Sequence, residues 1–322
     1  MNLVTGCNSL PGRALMTRLL AEGQKVRGMD TWKTRDFPET ADFIEGTVLD
    51  YEIIQKACED VKVIYHLMDV ENPAHSGRRH MRKMNIKGTE NIILAAKEFK
   101  IRKILFLSTA EVYGKPKAMP IRQDDPKKPI TPYGKDKLKA EKICWRFIEA
   151  EGMDITIFRP TIIAGAGIDD SMILIILYMA LAMGDANQLY ISGDVNTRFQ
   201  LAHTDDVVDA MLIASSNSVS RGKVYNLGSD DVPTQMEQVV KVKEKSRLDC
   251  QIKHISPFFT KFMSILLKPL NINYLRKEHV LFILSNFVLD CDRAKIDLGW
   301  QPKMNNIDIF TEAIDWYKKV KL

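Results

Sequence analysis

The sequence predicts an α/β fold: a doubly wound parallel sheet, with a smaller, mostly helical C-terminal part. Three observations predict it. Short apolar strands alternate with helical patterns through the first half. Those strands read as continuous apolar runs, as strands covered on both faces do. A glycine-bearing turn, Thr5-Gly6-Cys7-Asn8-Ser9-Leu10-Pro11-Gly12, joins the first strand to the first helix. With 322 residues, 45% of them hydrophobic, the chain can fill one large domain or two modest ones.

Taken in order, Leu3–Thr5 reads as a strand. A helix follows from Pro11 to Glu22, where Pro11 suits a first turn that needs no N–H, and Gly23 closes it. Lys25–Asp30 and Phe43–Ile44 read as strands, Tyr51–Cys58 as a helix with Asp50 as its N-cap, and Val63–Leu67 as a strand. Arg79–Phe99 carries a long 3.6-residue period. Lys103–Ser108 is a predicted strand, Tyr133–Glu151 a helix and Ile155–Arg159 a strand. After Arg159-Pro160 the pattern changes. A glycine-containing loop leads to an apolar helix over 172–183, and a strand-like stretch near Phe199–Ala202 leads to a helix from Asp205. Val224–Leu227 reads as a late strand returning to the sheet. Residues 229–290 read as mostly helical and apolar, with Pro233, Pro257 and Pro269 as breakers. The expected division is residues 1–160, with 196–228 returning to them, against a smaller interleaved part over 161–322.

Composition excludes several classes. The net charge is only +5, and the one basic run, Arg78, Arg79, Arg82 and Lys83, reads as a solvated helix face, so no nucleic acid is expected. Five cysteines (7, 58, 144, 250 and 291) without a C-x-x-C pair predict a reduced, cytoplasmic protein with neither disulfides nor zinc. Six histidines without metal-ligand spacing predict no metal. The chain opens on an apolar strand with no basic segment ahead of it, so no secretory signal is expected. The longest apolar run, Met172 to Met183, is too short for a bilayer, which takes about 20 residues.

The first turn suits a pyrophosphate. Gly6 allows the tight turn, Gly12 lets helix and sheet approach, and the helix N-terminus offers unpaired N–H groups. Ser9 stands where the middle glycine of a G-x-x-G-x-x-G pattern would be; it is small and can donate a hydrogen bond. Asp30, ending the second strand, can accept from adenosine ribose hydroxyls and repel a 2′-phosphate. It favours NAD over NADP, with Lys33 and Arg35 near enough to blunt the preference.

Ser108-Thr109 ends the fifth strand at the edge where doubly wound folds bind ligands, and a hydroxyl there can hold a substrate C–O. Tyr-x-x-x-Lys occurs three times. Tyr113/Lys117 encloses Pro116, which disfavours a helix, and Tyr317/Lys321 lies near the C-terminus. Only Tyr133/Lys137 opens a long helical pattern, so only there do both side chains share a face. A free tyrosine has a pKa of about 10, and lowering it by about 3 units takes about 4 kcal/mol. A neighbouring ammonium and a cationic nicotinamide would favour the phenolate.

With His66-Leu67, Asn85 to Thr89, Ser108 to Gly114, Pro132 to Lys135, Arg159 to Thr161, His203 to Val207, Tyr225 to Gly228 and Ala294 to Trp300, the chain resembles along essentially its whole length an extended short-chain dehydrogenase/reductase of the NAD-dependent epimerase/dehydratase family. The resemblance implies a Rossmann-type NAD-binding domain and a smaller substrate domain. It implies catalytic roles for Thr109, Tyr133 and Lys137, with Glu111 beside them. It places Gly6, Ser9, Leu10, Gly12, Asp30, Thr47, Val48, Leu67, Asn85, Ser108 and Pro160 along the cofactor, together with Tyr133 and Lys137. Glu111, Ile162 and Arg198 would face a small-molecule substrate. A homodimer through the helices at 79–99 and 133–151 is expected.

Departures from the family pattern narrow the substrate. Ala110 replaces the first acid of the dehydratase pair, arguing against sugar 4,6-dehydration; Ala here resembles the epimerases, and Glu111 alone is also compatible with the decarboxylating members. Thr47 stands where an adenine-binding Asp is usual, and Met68-Asp69 replaces an alanine pair, which brings an unexpected acid near the cofactor. Ile162 replaces an Asn that helps hold a diphosphate. Arg198 lies five residues before His203 instead of four, which reverses its face in a strand. The expected activity is oxidation or epimerisation of a secondary alcohol, foremost by a nucleotide-sugar epimerase. The alternatives are a dehydrogenase or ketoreductase of a less polar, sterol-like substrate, and a non-catalytic NAD-sensing scaffold. The apolar segments 172–183 and 258–270 read as core or dimer face, with a lid over an apolar substrate or a membrane contact flanked by Lys261 and Lys268 as alternatives.

Overall fold

In a computed structural model of the chain, the described residues are 1–71, 77–168, 188–192, 194–255 and 285–321. The expected seven strands form one parallel sheet: β1 (Asn2–Thr5), β2 (Val26–Asp30), β3 (Asp42–Glu45), β4 (Val63–His66), β5 (Lys103–Leu107), β6 (Ile155–Pro160) and, after three strands of the second layer, β10 (Val224–Leu227). Their order is β10-β6-β5-β4-β1-β2-β3. The winding reverses at β1, which pairs with β2 on one side and β4 on the other. Register aligns Thr5 with His66, and His66 with Phe106. The ends of β1, β4 and β5 therefore open on one edge beside the reversal, where such sheets bind ligands.

Alternation along each strand divides the core in two. Val4, Leu105 and Leu107 pack on one face with Leu15, Met16 and Leu19 of α1 (Leu10–Ala21) and Val207, Val208 and Met211 of α6 (Thr204–Ser216). Leu3, Ile104 and Phe106 face the other way, against Ile54 of α2 (Tyr51–Cys58), Ile92 of α4 (Thr89–Glu98) and Cys144 of α5 (Pro132–Glu151). Each fully buried aliphatic side chain contributes about 1.5–3 kcal/mol, so the double coverage explains why these strands lack a polar face.

Local chemistry sets the helix ends. Ser9, Asp50 and Thr131 cap α1, α2 and α5, and Gly152, at φ 64°, closes α5. The period over 79–99 is a helical run with a wide turn inside it: α3 (Gly77–Arg82), a π-helical turn over Lys83–Gly88, then α4. Gly88 sits against Val48, whose methyl would lie 2.3 Å from an added Cβ. Within the basic run, Arg78 is more than a solvated charge, because it grips Asp136 of α5.

Among the described residues the second layer also holds strands that the sequence did not announce. Of residues 229–290, the described part holds α7 (Gln235–Lys245) and a strand, β11 (Gln251–Ile255). That strand pairs in parallel with β8 (Gln188–Ser192), far back in the chain, so no local period announces it. β7 (Ile162–Ala164) pairs with β9 (Leu201–His203). A third apolar cluster joins Phe199 and Leu201 to Ile309, Phe310 and Ile314 of α9 (Asn306–Lys321), which follows α8 (Asp292–Leu298). Asn306, fully buried, accepts from Leu201 N and Ser229 Oγ and donates to Phe199 O and Gln238 Oε1, so both ends of its amide knit this layer. The segments 172–183 and 258–270 lie outside the described residues. Among the described residues no helix is long and apolar enough to cross a membrane, and no group of three or more His, Cys, Asp or Glu is placed to hold a metal.

Candidate active site

The turn after β1 forms a tight cradle. Gly6 adopts φ +74°, and an added Cβ there would lie 2.6 Å from Met68 N. At Gly12 a Cβ would lie 2.2 Å from Gly6 O, so no side chain fits without opening the turn. Ser9 fixes the turn: its hydroxyl donates to Gly6 O at 2.7 Å and accepts from Gly12 N at 3.1 Å. Leu10 begins α1 beside it. Asp30, at the end of β2, accepts from Asn8 N on one oxygen (2.9 Å) and Thr31 N on the other (2.8 Å). Lys33 lies 5.4 Å over the Phe37 ring, and Lys33 and Arg35 are exposed. Thr47 donates to Met84 Sδ and Val48 is fully buried, so both pack toward the 77–98 helices.

Tyr133 and Lys137 meet at Asp69, past the end of β4. Lys137 is 2% exposed; its ammonium donates to Leu107 O and to Asp69 Oδ2 (2.9 Å) and sits 4.7 Å over the Phe106 ring. Tyr133, one turn earlier on α5, donates its phenol hydrogen to the same Asp69 oxygen at 2.6 Å. Its ring is part-exposed, but the hydroxyl end lies deep. Burial and the Asp69 carboxylate, with Glu71 and Glu111 adding, hold the phenol well above the ordinary tyrosine range. This corrects the expectation of a phenolate favoured by Lys137, since Asp69 answers that ammonium.

Described residues before and after the gap that follows Asp69 are each held by side-chain bonds. Asn85, expected along the cofactor, spends both ends of its amide on Val70, accepting from its N–H (2.8 Å) and donating to its carbonyl (2.9 Å). Arg78 forks onto Asp136, 1% exposed, and donates to Pro132 O at 3.3 Å. Beneath Leu67, His66 is buried between Thr5 and Thr89. Thr89 gives its own proton to Asn85 O, so His66 carries its hydrogen on Nε2 and accepts from Thr5 on Nδ1. Burial first, then the Lys137 charge, push this imidazole down to about 3.

Thr109 caps the short turn after β5, accepting from Glu111 N at 3.2 Å. Glu111 is buried and accepts from Thr131, whose hydroxyl also caps α5 at Gly134 N. A Cβ on Gly134 would lie 2.8 Å from Glu111 O, which explains a glycine directly after Tyr133. Ser108 turns away from the cleft and donates to Glu141. Glu141 holds Arg159, and Arg159 donates to Tyr113 Oη at 2.8 Å. The Tyr113 phenol, pushed to about 12 by burial, donates in turn to Asn226. Pro160 ends β6; Ile162 packs part-buried against two apolar clusters. Arg198 donates to Val232 O.

Sequence reading missed Asp136 with Arg78, and Glu141 with Arg159. Glu141 left a signal, because it continues the Tyr133/Lys137 stripe at four-residue spacing into the buried Ala140, Cys144 and Phe147. Asp136 left none, as its partner lies across a loop.

A profile described as the NAD dependent epimerase/dehydratase family matches residues 2–228. An uncharacterized protein of Sinorhizobium fredii is 26% identical over 98% of this chain and 78% of its own. A UDP-glucose 4-epimerase of Lactobacillus helveticus is 25% identical over 98% of this chain and 96% of its own. Among solved structures, a UDP-glucuronic acid 4-epimerase from Bacillus cereus in complex with NAD superposes with a TM-score of 0.80, at 20% identity, over 100% of this chain and 99% of that one.

Proposed function

The chain belongs to the NAD-dependent epimerase/dehydratase family, and from that premise we propose that it is an NAD-dependent epimerase of a nucleotide sugar. One observation carries the reading: Tyr133 Oη and Lys137 Nζ converge on one point at the open ends of β4 and β5, beside the cradle of Gly6 and Gly12. The curated UDP-glucose 4-epimerase relative, matched end to end, supports the substrate class.

The cradle fits a dinucleotide. Gly6, Ser9 and Gly12 would let a pyrophosphate approach the backbone at the N-terminus of α1, and the Asp30 carboxylate at the end of β2 would accept from ribose hydroxyls. Bound there, NAD would supply a reversible hydride acceptor for the substrate carbon. Tyr133 handles the proton on the substrate oxygen, Thr109 orients that oxygen, and Lys137, 5.8 Å over the Tyr133 ring, grips the carboxylate that receives the phenol hydrogen. Ala110 leaves no acid pair for eliminating water. The enzyme dimerises through the helices at 79–99 and 133–151, which sedimentation tests. All five cysteines are free, which suits the reducing cytoplasm.

A second reading rests on Ile162 and Arg198. An apolar side chain in place of an amide, and a guanidinium spent on Val232 O, favour a less polar alcohol. A panel of UDP-, GDP- and dTDP-sugars beside apolar secondary alcohols separates the two, with isomers followed by NMR and NADH by absorbance. Epimerised sugar without net NADH supports the epimerase. Net NADH from an apolar alcohol, with every sugar inert, selects the dehydrogenase.

A further inference from the structure

Asp69 Oδ2 receives both the Tyr133 hydrogen, at 2.6 Å, and the Lys137 ammonium, at 2.9 Å. The ammonium charge is therefore balanced by a carboxylate and does little to create a phenolate. A phenol so held can give a proton, but it takes one only if its own has somewhere to go. Asp69 is the sole hydrogen-bond partner of Tyr133 Oη among the described residues, and the O–H already points at it.

We propose that Asp69 is the proton acceptor behind Tyr133, so that the two work as one acid–base unit. This rests on Tyr133 as the proton-handling group of the reading above. On alcohol oxidation the carbinol C–H would break with its hydride going to the nicotinamide of the reading above, while the substrate O–H breaks and a new Tyr133 Oη–H forms. The original Oη–H breaks, and that proton passes to Asp69 Oδ2. The phenol stays neutral, one proton has moved from substrate to Asp69, and reduction runs the same transfers backwards. Asp69 touches Tyr133 and not the reacting carbon, so it is a positioning residue that also stores the proton.

The scaffold supports that duty. Asn85 fixes the neighbouring Val70 backbone by both amide ends, and Arg78 binds Asp136 and Pro132 of α5. Among the described residues, the charged and titratable groups acting on the pair are Lys137 on α5, Glu111 on the turn after β5, Glu71 two residues past Asp69 and His66 on β4. Glu111 is bonded to Thr131, and His66 is held neutral between two threonines.

The test uses the full chain with Asp69→Asn and Asp69→Ala, read side by side. The first readout is tyrosinate absorbance against pH, with Tyr133→Phe subtracted to isolate the phenol. Ionisation of Tyr133 at lower pH in both variants than in wild type is expected, because Lys137 is freed to act on it; ionisation at the same pH overturns the proposal. The second is the pH–rate profile with whichever alcohol of the panel reacts. At pH 7 the variants should be slower by roughly tenfold or more and should recover about tenfold per pH unit as the phenol ionises. Variants as fast as wild type at pH 7 overturn the relay. If no nucleotide sugar reacts but an apolar alcohol does, the substrate reading fails while both readouts still judge Asp69. If nothing reacts, the titration alone decides for or against the pairing on which the relay depends.

Discussion

Arg159 meets Glu141 edge to edge, Nε 2.9 Å from Oε1 and Nη2 2.7 Å from Oε2, where both side chains are almost wholly removed from water. The pair forms the floor under the strand ends and carries Ser108 and Tyr113 on its margins. Removing one member of a buried pair strands the other charge, at a cost of about 3–5 kcal/mol. Glu141→Ala should therefore lower the urea midpoint sharply. Glu141→Leu with Arg159→Met should recover most of the loss, since an apolar pair strands no charge. A single variant as stable as wild type would remove the floor from the account.

In the proposed reading Asp30 sets the choice of cofactor, which binding can test. Isothermal titration should show NAD(H) binding more tightly than NADP(H), and Asp30→Ala should narrow the difference by removing the repulsion of a 2′-phosphate. Tighter NADP(H) binding in the wild type would shift the role to Lys33 or Arg35.

The cradle tolerates no side chain at Gly12, whose added Cβ would meet backbone oxygen at 2.2 Å. Gly12→Ala should weaken NAD binding by roughly tenfold or more, equivalent to about 1.4 kcal/mol, through displacement of the turn. Fluorescence titration with NADH measures it, and an unchanged affinity would place the dinucleotide elsewhere.

Two of the tyrosines separate chemistry from stability. Tyr133→Phe should abolish turnover while leaving NAD binding nearly intact. Tyr113→Phe removes a hydroxyl that serves Arg159 and Asn226. It should cost about 1–3 kcal/mol in folding stability and leave the proton-transfer step in place. Steady-state rates beside thermal melts tell the two apart.

His66 makes stability depend on pH. Its folded pKa, about 3, lies below the ordinary value of 6.5, so between those values the unfolded chain binds the extra proton. Its stabilising contribution is full above pH 6.5 and is lost as pH falls toward 3. Going from pH 7 to pH 5 should cost about 2 kcal/mol from this group. Urea unfolding at the two pH values, with His66→Gln as the reference lacking that slope, checks the sign and the size.

Much of the scaffold was legible because its causes are local. Both-face burial makes each sheet strand an apolar run, Asp50 caps by reaching Ile53 N three residues on, and Tyr133 and Lys137 share a face because a helix turns every 3.6 residues. The turn from Gly6 to Gly12 was equally readable, since its demand for small residues arises within its own backbone. The β8–β11 pair was not, because each strand is completed only by a segment far away in the chain.

By itself, then, the sequence determined the parallel sheet, the dinucleotide turn and the helix that carries Tyr133 and Lys137. Periodicity, capping and glycine geometry act over a few residues and need no knowledge of the rest of the chain. Only the tertiary structure decided what those residues face. It turned Ser108 onto Glu141, spent Asn85 on Val70, sent Arg198 to Val232 and set Asp69 between phenol and ammonium. Those outcomes depend on where loops land after strands and helices have packed, and hydrogen bonds between residues tens of positions apart carry no mark in local composition.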